Sequence, residues 1–136
     1  MSWSGVKKQI NKAEIEAWCE EMDIRNYTIN SQGEIDVDRS VNLMCKDFKE
    51  LPYKFGRVNG YFDICSNQNL ISLKNCPNYV NELFGCDGCI NLDSLEGCPK
   101  EVDGNFYCYK CKREFTEEEI KSLCKVKGKI KRVLLK

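Results

Sequence analysis

Cys86-x-x-Cys89, followed after eighteen intervening residues by Cys108-x-x-Cys111, is the constellation in this chain best equipped for chemistry. Four thiolates at such spacing suit one tetrahedral zinc ion, held in the manner of a zinc ribbon. Little else in the composition is reactive. There is no histidine, which removes the commonest general base, the triads that depend on it and every histidine-containing zinc site. Neither G-x-x-x-x-G-K nor G-x-G-x-x-G occurs, so no phosphate-cradling loop is expected. The glutamates fall on first turns and exposed faces of expected helices, where a solvated or dipole-complementing role accounts for them. Nothing assembles an active site. A non-enzyme without a cofactor is expected.

The same four cysteines also belong to a repeat. Val58, Val80 and Val102 stand 22 residues apart, as do Phe62, Phe84 and Phe106. Ile64, Cys86 and Cys108 form a third column, and Asn67, Cys89 and Cys111 a fourth. Leu70 and Leu73 match Leu92 and Leu95, and Cys76-Pro77 matches Cys98-Pro99. Each unit reads V-x-x-x-F-x-[IC]-x-x-[NC]-x-x-L-x-x-L-x-x-C-P. A fixed period of this size marks a solenoid in which each coil leaves an apolar face that only its neighbour covers. Free cysteine packs as a small hydrophobe, so the register accounts for these thiols without metal, and that reading comes first. Zinc on Cys86, Cys89, Cys108 and Cys111 stays as the alternative, since strands ~4.8 Å apart would bring the sulfurs together.

The flanking elements must seal such a stack. Asn11 and Glu14 are placed to open a helix, with Ile15, Trp18, Cys19 and Met22 on one stripe. Tyr27 and Ile29, then Ser31-Gln32-Gly33, then Ile35 and Val37 read as a hairpin. Val41, Leu43, Phe48 and Leu51 form an irregular first coil, its strand part slipped by one. Within each full unit, Phe62 and Ile64, Phe84 and Cys86, and Phe106 and Cys108 are expected on one face of a single strand. Gly60, Gly88, Gly97 and Gly104 mark bends. Thr116 and Glu119 frame a capping box for a helix with Ile120, Leu123 and Cys124 inward. Gly128 is expected to stop it, with a last strand in Lys129 to Lys136.

The chain has 136 residues, 21 basic and 21 acidic, which fits one domain. Residues 1–40 form the expected N-terminal helix-and-hairpin cap, 41–112 the coils, and 113–136 the C-terminal cap helix and basic tail. Ten cysteines would imply a disulfide frame in a secreted chain. However, Met1 to Ile10 carries Lys7 and Lys8 with no apolar core after them, so a signal peptide is not expected. Free thiols in a reducing cytoplasm are expected instead. No run approaches the ~20 apolar residues of a membrane helix.

These columns resemble leucine-rich repeats, in which strand leucines precede an Asn or Cys that satisfies backbone groups in the bend. More closely, the chain resembles small leucine-rich-repeat proteins encoded by tailed bacteriophages. The phrases Leu95-Glu96-Gly97-Cys98-Pro99-Lys100-Glu101-Val102 and Phe106-Tyr107-Cys108 carry the likeness. So do Asn26-Tyr27-Thr28-Ile29-Asn30 leading to Leu51-Pro52, and the closing Phe115-Thr116-Glu117-Glu118-Glu119. The likeness covers roughly residues 11–130. The valine-to-phenylalanine spacing is four where the common unit has three. The resemblance implies an α+β repeat solenoid, with Asn67, Cys89 and Cys111 as a ladder and Cys45 as an earlier rung. It also implies a binding scaffold working in a bacterial host cytoplasm.

On such strands the residues between the core pair face outward, on the concave side. They are Tyr61, Asp63 and Cys65; Leu83, Gly85 and Asp87; Asn105, Tyr107 and Tyr109. Aromatic rings beside carboxylates suit a protein interface, although Tyr is favoured in strands anyway. The basic tail, Lys125, Lys127, Lys129, Lys131, Arg132 and Lys136, offers contact with nucleic acid. Edge protection accounts for it better, because aromatic stacking residues are missing there. The leading expectation is a non-enzymatic protein–protein interaction module that binds or inhibits a bacterial protein, such as part of a defence system. The alternatives are a zinc-ribbon-like module contacting nucleic acid, and a phage structural component.

Overall fold

The computed structural model describes residues 11–132. The signal-peptide reading of Met1 to Ile10 and the end of the expected last strand lie outside the described residues, as does Lys136.

The apolar columns stack as their period requires. Strands β4 (Phe55–Val58), β6 (Tyr79–Val80) and β8 (Glu101–Val102) run parallel, with Val58 beside Val80 and Val80 beside Val102. Strands β5 (Phe62–Asp63), β7 (Phe84–Gly85) and β9 (Phe106–Tyr107) form a second parallel ladder, with Phe62 beside Phe84 and Phe84 beside Phe106. The chain visits both ladders in every turn, giving a β-solenoid of about four turns. The first sheet has six strands, adding the antiparallel hairpin β1 (Tyr27–Ile29) and β2 (Ile35–Val37) and the last strand β10 (Lys125–Val126). The second has five, ending in β3 (Val41–Asn42) and β11 (Ile130–Lys131).

The single strand expected per unit is therefore two short strands, with valine in one sheet and phenylalanine in the other. The four-residue spacing makes room for a corner. Asn81 N–H donates to the Val58 carbonyl at 2.9 Å and Glu82 N–H to the Gly60 carbonyl at 3.0 Å while the chain turns between sheets. The corner is tight: a Cβ on Gly104 would lie 2.6 Å from the Glu82 carbonyl carbon. Among the described residues helix contributes only two short segments, so the expected repeat solenoid is here a β-solenoid.

Between the sheets lies the core. Val58, Phe62, Val80, Phe84, Val102 and Phe106 are fully buried, and so are Leu70, Leu73, Leu92 and Leu95 on the strandless side of the coils. Phe62 and Phe84 stack with centroids 6.1 Å apart and planes 2° from parallel. The Asn/Cys column is a ladder. Asn67 Nδ2 donates to the Leu43 and Ile64 carbonyls, each at 2.8 Å. Cys89 Sγ reaches the Ile64 carbonyl at 3.2 Å, and Cys111 Sγ the Cys86 carbonyl at 3.3 Å. Cys45 is not a rung. The first coil pairs one residue short, with Val41 beside Phe62, so Cys45 joins Ser66, Gly88 and Lys110 in a column of left-handed residues with φ of 57°, 60°, 71° and 54°.

Helix α1 (Lys12–Glu21) starts where Asn11 Oδ1 accepts the Glu14 N–H at 3.1 Å. It buries Ile15 and Cys19, and Trp18 lies 5.9 Å from the Phe55 ring and 5.6 Å from Tyr53. Helix α2 (Glu117–Leu123) has the full capping box of Thr116 and Glu119. It stops earlier than Gly128, because Cys124 is already extended (φ −141°, ψ 134°) to enter β10. Ile120 and Cys124 are buried, but Leu123 is turned out and 42% exposed, contrary to expectation.

Candidate functional site

The second sheet positions the expected panel. Asp63, Gly85 and Tyr107 are register partners across β5, β7 and β9, with Lys131 of β11 completing the row. Their neighbours Phe62, Phe84 and Phe106 are buried, so the alternation of strand side chains turns the panel outward. Tyr61, Asp63, Cys65, Leu83, Asp87, Asn105, Tyr107 and Tyr109 are all half-buried. The nine residues share one surface. Gly85 leaves a notch there: a Cβ would meet Cys65 Sγ at 3.1 Å, Asp63 Oδ1 at 3.7 Å and Leu83 Cδ1 at 3.8 Å.

Part of this surface holds the coils together. Asp87 Oδ1 accepts the Tyr109 N–H at 2.6 Å, Asp87 N–H points at Cys65 Sγ at 3.1 Å, and Asn105 Oδ1 accepts the Lys129 N–H at 2.8 Å. Asn105 Nδ2 donates to the Tyr107 hydroxyl at 3.1 Å. Asp63 Oδ1 accepts the Cys65 N–H at 2.9 Å. Neither Asp63 nor Asp87 has an ion-pair partner among the described residues. Burial, with some help from the Asp63 charge, raises the Asp87 carboxyl above the ordinary range, although the Tyr109 N–H opposes it. The Tyr107 and Tyr109 rings lie 6.4 Å apart, tilted by 54°.

The outer face of the first sheet, which the sequence reading did not single out, is different. The Arg57 guanidinium sits 4.1 Å over the Tyr79 ring, and the Tyr79 hydroxyl donates to Asp103 at 2.5 Å. Lys127 Nζ meets Asp103 at 3.2 Å and Glu101 at 3.3 Å. Arg57, Glu101, Asp103 and Lys127 thus each have a partner from a neighbouring coil, whereas Lys125 of the same row makes no ion pair among the described residues. The only sequence signal was the 24- and 26-residue spacing from Lys127 back to Asp103 and Glu101, which no helix or strand pattern flags. The same pairing uses one of the tail's lysines, and Arg132 Nη1 donates to the Phe115 carbonyl at 3.4 Å.

Cys86, Cys89 and Cys108 are buried and Cys111 is half-buried, all as free thiols. Among the described residues no group of three or more Cys, Asp or Glu side chains could hold a metal ion. Contact with Cys111, then burial, pushes the Cys86 thiol well above its usual range, and burial pushes Cys89 to about 11. Cys89 and Cys111 each set their sulfur against a backbone carbonyl. Among the described residues no helix is long and apolar enough to cross a membrane.

Comparison adds no relative. No family model matches the chain, and no curated protein or solved structure does so either.

Proposed function

We propose that this chain is a non-enzymatic protein-binding solenoid that recognises its partner through the outer face of the second sheet. The contrast between its two faces carries the reading. One sheet ties Lys127 to Glu101 and Asp103 and sets Arg57 on Tyr79 across coils, whereas the other leaves Asp63 and Asp87 without ion-pair partners among the described residues, on a face that also carries Tyr61, Tyr107 and Tyr109. Half-buried aromatics anchored on a rigid ladder lose little side-chain freedom on binding, which is why Tyr is enriched where interfaces are strongest. In this reading α1 with the β1–β2 hairpin, and α2 with β10, cap the stack, keeping its ends from pairing with other chains. The leucine columns, the Asn/Cys ladder and the phrases quoted above support a leucine-rich-repeat kinship with phage proteins. The partner is then a bacterial protein, such as part of a defence system, that is bound or inhibited in the host cytoplasm.

Affinity capture from a bacterial lysate tests this, comparing the wild-type chain with Tyr107→Ala/Tyr109→Ala. A specific protein held by the wild type and lost by the double variant is expected. Equal capture by both would remove the face from consideration.

A further inference from the structure

A third side of each turn, containing residues 70–77 and 92–99, carries no strand. It borders a groove of about 690 Å³, within the ~300–1,000 Å³ typical of ligand sites. The groove has an unusual balance. Ile71 and Leu123, 58% and 42% exposed, are two of the four large apolar side chains left in water among the described residues, and both line it. Lys54, Lys74 and Lys100 line it too, against the single carboxylate of Glu96.

These cations are poorly neutralised by the protein. Lys54 Nζ is fixed by three acceptors, the Phe55 carbonyl at 2.9 Å, the Cys76 carbonyl at 2.5 Å and Asn78 Oδ1 at 2.9 Å. None of the three is a carboxylate, and burial lowers its pKa, with the Glu34 charge opposing and the Lys100 charge adding a smaller push. Lys100 has no ion pair among the described residues, and Lys74 reaches only Glu50, at 3.9 Å. A half-buried cation fixed by neutral dipoles keeps a positive field over the groove floor. No aromatic ring lines the groove, so bases would find nothing to stack on, which disfavours nucleic acid. Its size exceeds what a small anion fills.

We propose that this groove binds an extended acidic segment of a partner protein, its carboxylates toward Lys74 and Lys100 and an apolar side chain against Ile71 and Leu123. The site lies apart from the tyrosine face and does not depend on it. Lys74, Lys100, Ile71 and Leu123 are exposed, so they can be changed without opening the core.

Fluorescence anisotropy with a labelled octapeptide of alternating Glu and Leu is the test, with an alternating Lys and Leu peptide and a ten-nucleotide single-stranded DNA as comparison probes. Saturable binding of the acidic peptide that weakens with added salt is expected. Lys74→Glu/Lys100→Glu should weaken it by at least about tenfold. Ile71→Ser/Leu123→Ser should weaken it severalfold, and Tyr107→Ala/Tyr109→Ala should leave it unchanged. Lys74→Gln/Lys100→Gln gives the same direction should charge reversal perturb folding. Absence of saturable binding, equal binding of the Lys and Leu peptide, preference for the oligonucleotide, or loss only in the tyrosine variant would each overturn the proposal. The last outcome would leave the tyrosine face standing as the binding surface.

Discussion

The Asn67 side chain bridges to Leu43 in the coil before its own, Nδ2 to carbonyl oxygen at 2.8 Å, while its Oδ1 accepts the Lys46 N–H at 3.0 Å. Asn67 is the one polar residue in the buried set, and it satisfies backbone groups that would otherwise sit dry. Asn67→Ala should cost about 2–4 kcal/mol, the penalty of orphaned buried groups plus a void. Asn67→Cys should cost less than half of that, because Cys89 and Cys111 do a similar job in the same column. Urea unfolding at neutral pH measures both; an alanine variant within about 0.5 kcal/mol of wild type would refute the ladder's role.

Phe84 sits at the middle of the ring stack, between Phe62 and Phe106. Phe84→Ala should destabilise by about 3–5 kcal/mol, and Phe84→Leu by clearly less. Thermal unfolding followed by circular dichroism checks the order. Equal losses would mean that the stack relaxes around the hole.

Much of this packing was readable from residue types. Columns spaced by 22 set the stacking, and the resemblance to leucine-rich repeats pointed to Asn67, Cys89 and Cys111 as the ladder. The corner between Val and Phe was not readable, because two-residue strands are too short to show a period of their own. Cys45 was misplaced for a related reason: the first coil is one residue short, and a column rule assumes constant length. Leu123 followed helical spacing inward, but α2 ends there, and the chain leaves toward β10 before another turn can cover it. The tyrosine face was located from strand alternation alone. The groove was missed because it lies where consecutive coils leave a gap, which no local pattern encodes.

Glu119 accepts from Arg113 at 2.6 Å and from the Thr116 N–H at 3.1 Å, and these donors hold its carboxyl down at about 2. A depressed carboxyl stabilises the fold above its unfolded pKa, near 4.5, and loses that contribution as pH falls toward about 2. Glu119→Gln should therefore lower stability at pH 7, and the gap to wild type should close between about pH 4.5 and 2. A gap that is constant over that window would show that the ionised carboxylate is not the cause.

Cys45 is exposed, while Cys76, Cys86, Cys89, Cys98 and Cys108 are buried. In native buffer an aromatic disulfide reagent should modify Cys45 in a fast phase that Cys45→Ser abolishes, with the buried thiols reacting only on unfolding. One equivalent of zinc should leave those rates unchanged. Zinc protection of Cys86, Cys89, Cys108 and Cys111 would restore the metal reading.

Val58, Val80 and Val102 occupy equivalent places, and so do Phe62, Phe84 and Phe106. A gene rearrangement that removes or duplicates one whole 22-residue unit therefore rejoins like to like. Molecules of this design can lengthen or shorten in quantised steps, changing reach while every seam stays the same.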